Sequence, residues 1–268
     1  MTHTDLHVGF VGAGQMGRPM VDRLAAAGQR LTVFARRPEA RTDLEAAGLT
    51  VSGDLVALAS SVDVLILSLF SDAQVREVLL DGGALAAMRP GSTLITHVTG
   101  SPDLVVELDA RAPAGVRVID GPMSGTAESI RNGRLTLLLG GDAEDIERVR
   151  PVLAAYADNI LHVGVIGDAQ RVKLINNLLF TVNLQMALEA AKLGKAMSIS
   201  PSILAKTLAT CSGNSFALAL FERMQPETMK ASARPFLVKD LAVVQDVANS
   251  MGIDLGILGH LADWVNHD

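Results

Sequence analysis

The chain reads as an α/β protein: an N-terminal doubly wound parallel sheet of Rossmann type, a long interdomain helix, and an all-helical C-terminal domain. Three observations predict this. Short branched apolar runs alternate with amphipathic stretches from residue 8 to about 163, a glycine-rich turn joins the first strand to the first helix, and strand signals stop after Asp168. Composition agrees. Of 268 residues, 49% are hydrophobic but only 3% aromatic, so the core is built from Ala, Val, Leu and Ile, as in a parallel sheet covered by helices.

The first strand is Val8–Val11, and Gly12-x-Gly14-x-x-Gly17 leads from it into helix-period residues Met20, Leu24 and Ala25. In that context the first glycine turns the chain tightly, the second lets backbone approach a pyrophosphate, and the third lets helix pack on strand. Free N–H groups at the helix start then hold phosphate. Gly12, Ala13, Gly14, Gln15, Met16 and Gly17 are therefore candidate cofactor-binding residues; an ordinary ligand-free glycine turn is the plain alternative.

The second strand, Leu31–Phe34, ends in Ala35-Arg36-Arg37-Pro38, where an NAD site would place Asp or Glu for the ribose 2′-hydroxyl. Guanidinium forks suit a 2′-phosphate, so Arg36 and Arg37 favour NADP, with NAD still possible. A solvated surface pair is the bland reading. Further strands are expected at Val62–Ser68, Thr93–His97, Val116–Asp120, Leu135–Leu139 and Ile160–Val163, with helices at Pro19–Ala27, Gln74–Leu80 and Glu144–Tyr156 between them.

Gly164 and Gly167 punctuate the chain and set the expected boundary between a dinucleotide-binding domain, 1–163, and a helical substrate and dimerisation domain, 164–268. The helix from Gln170 to about Met197 is apolar on nearly every face, so it must be buried, and at about 1.5 Å per residue it runs roughly 40 Å. The short segments Pro201–Leu208 and Asn214–Met224 cannot cover it alone, which predicts a second subunit; Val238–Met251 and Ile257–Val265 complete the helices.

Several classes are excluded as expectations. A net charge of −6 without a basic stripe argues against nucleic acid. The single cysteine, Cys211, allows no internal disulfide and fits a reducing cytoplasm, its plain reading being a small buried hydrophobe. The start MTHTDLHVGF lacks the regions of a signal peptide, and no stretch has membrane-span length, so a soluble, cytoplasmic protein without a membrane partner is expected. His3, His7, His97, His162, His260 and His267 show no metal-ligand spacing, and no nucleophile elbow supports Ser-His-Asp chemistry.

Inside the apolar helix Lys173 and Asn177 fall at i, i+4, beside Asn176. Desolvation favours the neutral form of a buried lysine, which makes Lys173 a candidate general acid/base; a lysine snorkelling from the first turn is the alternative. After Val116–Asp120 comes Gly121-Pro122-Met123-Ser124-Gly125-Thr126, at the edge where open α/β sheets bind ligands. Hydroxyl and backbone N–H donors there could hold a carboxylate, or the loop is a plain turn.

Val8-Gly9-Phe10-Val11-Gly12-Ala13-Gly14-Gln15-Met16-Gly17-Arg18-Pro19-Met20, Asp120-Gly121-Pro122-Met123-Ser124-Gly125, Gly133-x-Leu135, Gly140-Gly141, Lys173-Leu174-Ile175-Asn176-Asn177 and Lys239-Asp240-Leu241 occur in this order over nearly the whole chain. Together they resemble the β-hydroxyacid dehydrogenase family, the relatives of 3-hydroxyisobutyrate dehydrogenase and tartronate-semialdehyde reductase. The resemblance implies that Lys173 is the catalytic lysine, exchanging a proton with the substrate oxygen. It implies that Ser124, Gly125 and Thr126 form the substrate-carboxylate loop and that Asn177 orients the substrate. Leu69 and Thr99 fall near the nicotinamide end, Lys239 on the cofactor side, and Arg36 at the 2′-phosphate.

Departures lie on the substrate side. Val98 replaces a serine in Thr96-His97-Val98-Thr99-Gly100-Ser101-Pro102, Thr126 a glycine and Phe70 a proline, which predicts a less polar, more crowded pocket. The chain ends at Asp268, where relatives continue with another helical segment, so closure or subunit contacts are expected to differ. The expected activity is hydride transfer between NADP(H) and a small β-hydroxyacid or its semialdehyde, in a homodimer or homotetramer. Imine reduction is the alternative, as is a catalytically silent NADP-binding interaction protein; Lys173 counts against the first, and Lys173 with Asn177 against the second.

Overall fold

The computed structural model describes residues 5–267. His3 and the first four residues of the chain lie outside it. The described residues fall into two compact units that part between Lys173 and Leu174.

The first unit carries nine strands: β1 (His7–Val11), β2 (Arg30–Phe34), β3 (Thr50–Ser52), β4 (Val64–Leu67), β5 (Thr93–Thr96), β6 (Arg117–Asp120), β7 (Met123–Ser124), β8 (Leu135–Gly140) and β9 (Ala157–Gly164). Its helices are α1 (Gly17–Ala26), α2 (Pro38–Ala46), α3 (Leu55–Ser61), α4 (Asp72–Arg76), α5 (Ala84–Ala87), α6 (Pro102–Arg111), α7 (Ala127–Arg131) and α8 (Ala143–Leu153). The sheet order is β3-β2-β1-β4-β5-β6-β8-β7, with β9 beside β8. From β3 to β6 every pairing is parallel, with β1 central to the first half: Val8 sits opposite Leu31 on one side and Val64 on the other.

The parallel order does not extend to the far end of the sheet. β8 runs antiparallel to β6 and to β7. No crossover helix separates β6 from β7, so the chain returns through α7 and pairs the opposite way. Burial on both faces explains the run Val64-Leu65-Ile66-Leu67 in β4: Val64 and Ile66 join the core cluster of Phe10, Met20 and Tyr156, while Leu65 and Leu67 join that of Leu94 and Val118.

In the second unit α9 (Asp168–Ala196), which begins in the first, is followed by α10 (Pro201–Leu208), α11 (Phe216–Ala219), α12 (Pro226–Ser250) and α13 (Gly256–Ala262). α12 starts well before the expected Val238 and runs through Pro235, which forgoes one helix hydrogen bond. Leu237, Leu241 and Val244 of α12 share a core with Leu178, Val182 and Leu188 of α9. Trp264 donates its indole N–H to the Thr181 carbonyl at 3.1 Å, fixing the last short helix, Asp263–Asn266, to α9.

Within the single chain α9 is not buried all round. One side enters the core, but Ile175, Leu179, Met186 and Leu193 stay exposed. Cys211 is exposed rather than buried, its thiol 3.5 Å from the Thr207 carbonyl. No helix among the described residues is long and apolar enough to cross a membrane, and no cluster of three or more potential metal ligands occurs among them.

Candidate active site

The turn after β1 explains its glycines by space. Gly12 has φ +99°, and a Cβ there would lie 2.2 Å from the Ser68 carbonyl oxygen. A Cβ on Gly17 would lie 2.0 Å from the Gly12 carbonyl oxygen, so α1 can pack on the turn only without a side chain. Gly14 is different: nothing stands within 4 Å of its Cβ position, which leaves open space beside the backbone. The start of α1 has no side-chain cap and no acidic residue in its first turn, so its N–H groups are available to an anion.

A cavity of about 540 Å³ opens there, lined by Gly12, Ala13, Gly14, Arg36, Arg37 and Leu69, all candidates from the sequence. Gln15 and Met16 lie on the turn, outside its wall, and Gly17 opens the helix. Arg36 forms an ion pair with Glu77 at 2.9 Å, and Glu77 also lines the cavity. An exposed glycine cradle facing a guanidinium fits the pyrophosphate and ribose end of a dinucleotide.

The loop carrying Thr99 is pinned along its length. Buried Gln170, in the first turn of α9, donates its amide to the Val98 carbonyl at 2.8 Å and accepts the Gly100 N–H at 3.1 Å. Asp72 accepts the Ser101 N–H at 2.8 Å. Val98 faces inward at 3% exposure and belongs to the core cluster of Leu104.

His97 is buried between two elements. A carbonyl oxygen can only accept, so Nδ1 carries the proton and donates to Gly121, while Nε2 accepts from the Tyr156 hydroxyl at 2.8 Å. Burial without a counter-charge holds the imidazole down to about 4 and pushes the tyrosine up. Asp120, at the end of β6, accepts the N–H groups of Gly167 and Gln170 at 3.0 Å each and so caps the start of α9. Burial raises its pKa, against those two bonds.

Beyond Asp120, Ser124 lies on β7 opposite Thr136, and Gly125 has φ +142°. The Thr126 hydroxyl accepts the Ser129 N–H at 3.2 Å, with Ser129 returning the bond, so this side chain caps α7. Phe70 is half exposed, its N–H bonded to Gln74. Lys173 is buried at 8% exposure in α9, three residues after Gln170.

In the second unit Asn177 donates to buried Asp240, whose other oxygen lies 2.9 Å from the Lys239 ammonium. Asn176 in turn donates to Asn177 at 3.0 Å. Gln170, Asp120, His97, Asp240 and Glu77 escaped the sequence reading as site residues. Asp120 and Asp240 carried a signal, standing inside motifs already noted; Gln170 and Glu77 carried none.

A glycine cradle at the strand-to-helix turn of a Rossmann sheet, with a buried lysine where the helical unit begins, defines the class of NAD(P)-dependent oxidoreductases. Residues 7–164 match the family described as the NAD binding domain of 6-phosphogluconate dehydrogenase, and residues 167–266 match that of the NAD-binding region of NADP-dependent 3-hydroxyisobutyrate dehydrogenase. The chain belongs to the β-hydroxyacid dehydrogenase family. It is 32% identical over 254 residues to the NAD-dependent L-serine dehydrogenase of Pseudomonas aeruginosa, covering 91% of this chain and 85% of the other. It is 34% identical to L-threonate dehydrogenase of Cupriavidus necator, covering 90% and 83%. The solved structure of Mycobacterium tuberculosis 3-hydroxyisobutyrate dehydrogenase with L-serine superposes with a TM-score of 0.86 at 28% identity, covering 98% of this chain and 93% of that one.

Proposed function

We propose that this hydroxyacid dehydrogenase prefers NADP and acts on a small β-hydroxyacid or its semialdehyde. The observation that carries the cofactor reading is Arg36 in the wall of the glycine-lined cavity, with no acid at the end of β2. Relatives named for L-serine, L-threonate and 3-hydroxyisobutyrate support a substrate with a carboxylate and a hydroxyl on a short chain.

When bound, the nicotinamide supplies the hydride acceptor or donor. The protein's own part is binding, orientation and one proton. Backbone N–H groups from Gly12 to Gly17 hold the pyrophosphate, and Arg36 and Arg37 the 2′-phosphate, with Leu69 and Thr99 toward the nicotinamide end. Ser124 and Gly125 supply donors for the substrate carboxylate, Thr126 holds that loop by capping α7, and Asn177 orients the substrate. Lys173 gives a proton to the carbonyl oxygen in reduction and takes it back in oxidation. Lys239 supports the cofactor side through its pair with Asp240. The first unit thus serves as the dinucleotide-binding domain and the second as the substrate and dimerisation domain, in a cytoplasmic homodimer or homotetramer.

NADPH and NADH oxidation followed against a panel of aldehyde acids, keto acids and cyclic imines tests this reading. Turnover with a β-semialdehyde acid and preference for NADPH are expected. Turnover confined to cyclic imines would overturn the substrate class, and equal affinity for both cofactors in an Arg36→Ala variant and the unmutated protein would overturn the role of Arg36.

A further inference from the structure

We infer that Glu77 is a specificity-determining residue of the cofactor pocket: it restrains the NADP preference set by Arg36 and retains binding of NADH. The inference rests on the cofactor reading above and deepens it.

Three observations place Glu77 there. It lines the same cavity as Gly12, Gly14 and Arg36. Its carboxylate lies 2.9 Å from Nη1 of Arg36. And it stands at the head of a π-helical turn, Glu77–Asp81, that extends α4 and is closed by the Gly82 N–H on the Glu77 carbonyl at 2.8 Å. One extra residue in a helical turn rotates the side chains around it, and such turns recur at functional sites. The neighbouring Arg76 is engaged elsewhere, with Glu107 at 2.7 Å, so it does not neutralise the pocket face.

Charge then separates the two cofactors. A dinucleotide with a 2′-phosphate brings nearly two negative charges to Arg36, and Glu77 both competes for that guanidinium and repels the incoming charge. A 2′-hydroxyl brings no charge and can donate to a carboxylate, the service that an acid after β2 performs in an NAD site. Here β2 is followed by Ala35-Arg36-Arg37, and the acid reaches the Arg36 guanidinium from across the cavity instead.

Dissociation constants of NADPH, NADP+, NADH and NAD+, read by nucleotide fluorescence and calorimetry at low and moderate salt, test the assignment. Glu77→Gln is expected to tighten NADPH about fivefold at low salt, less at higher salt, and to leave NADH unchanged or weaker. Asp43→Asn removes an equal charge from the same cavity wall without releasing Arg36, and is expected to change the NADPH to NADH ratio less. An unchanged ratio in Glu77→Gln, or equal shifts in both variants, would overturn the role of Glu77. Loss of NADPH affinity in Arg36→Ala alongside an inert Glu77→Gln would leave the cofactor reading standing and remove only this inference; an inert Arg36→Ala would remove the reading itself.

Discussion

Lys173 and His97 are both buried, and the parts proposed for them differ. On the role proposed for Lys173, truncation removes the proton donor. Lys173→Ala is expected to lower kcat by about 10²–10⁴-fold while NADPH still binds, as steady-state kinetics and fluorescence titration would show. Near-normal turnover would make the lysine structural. For His97, burial keeps the ring neutral in the folded protein, at about 4, whereas an unfolded histidine titrates near 6.5. Between those values the unfolded chain binds the extra proton, so stability present above pH 6.5 is lost as the pH falls toward 4. The loss from this one group is on the order of 2–3 kcal/mol at the acid end. Asp120 acts in the opposite sense, because its raised pKa lets the folded state take up a proton first. Urea unfolding at about pH 7.5 and about pH 4.5 isolates the contribution of the histidine: His97→Gln should be less stable than the parent at the higher pH and lose less on acidification. An identical pH slope in both proteins would show that His97 does not carry it.

At the scale of elements, what the sequence made legible depended on how much each element buries. Strands buried on both faces, such as β4 and β5, announce themselves as unbroken branched runs. β3 has three residues and an exposed edge position, and β7 only two, so neither offers a run long enough to show a period. Helices α3 and α6 escaped although their caps, Asp54 and Ser101 before Pro102, are written in the chain. The glycine turn was legible because Gly12 and Gly17 leave no room for a side chain. Gln170 was not, since a polar residue in an apolar helix shows its purpose only when the Val98–Gly100 backbone is seen against it. The junction between β6 and α9 is testable on the same footing. Asp120→Ala would strand the N–H groups of Gly167 and Gln170, at a cost of roughly 2–4 kcal/mol, and Asp120→Asn, which keeps an acceptor, should cost less. Equal urea midpoints for parent and Asp120→Ala would deny that this cap holds α9.

At the scale of the whole molecule, the exposed side of α9 is the feature least expected of a finished surface. Ile175, Leu179, Met186 and Leu193 recur at spacings of four, seven and seven, which keeps them on one side of a helix over about 27 Å. Ile175 and Leu193 are 59% and 58% exposed, so core packing does not account for them. Exposed apolar residues on one side of a helix of this length can be covered when two copies meet about a two-fold axis. The occupant expected is therefore a second copy of this chain. Static light scattering at micromolar concentration should return at least twice the monomer mass, and Ile175→Glu with Leu179→Glu should shift it toward the monomer, because two carboxylates buried at such a seam lack partners. A monomeric parent would refute the assembly. So would a double variant that keeps the parent's mass, which would place the subunit contact on another surface and leave the stripe of α9 in water.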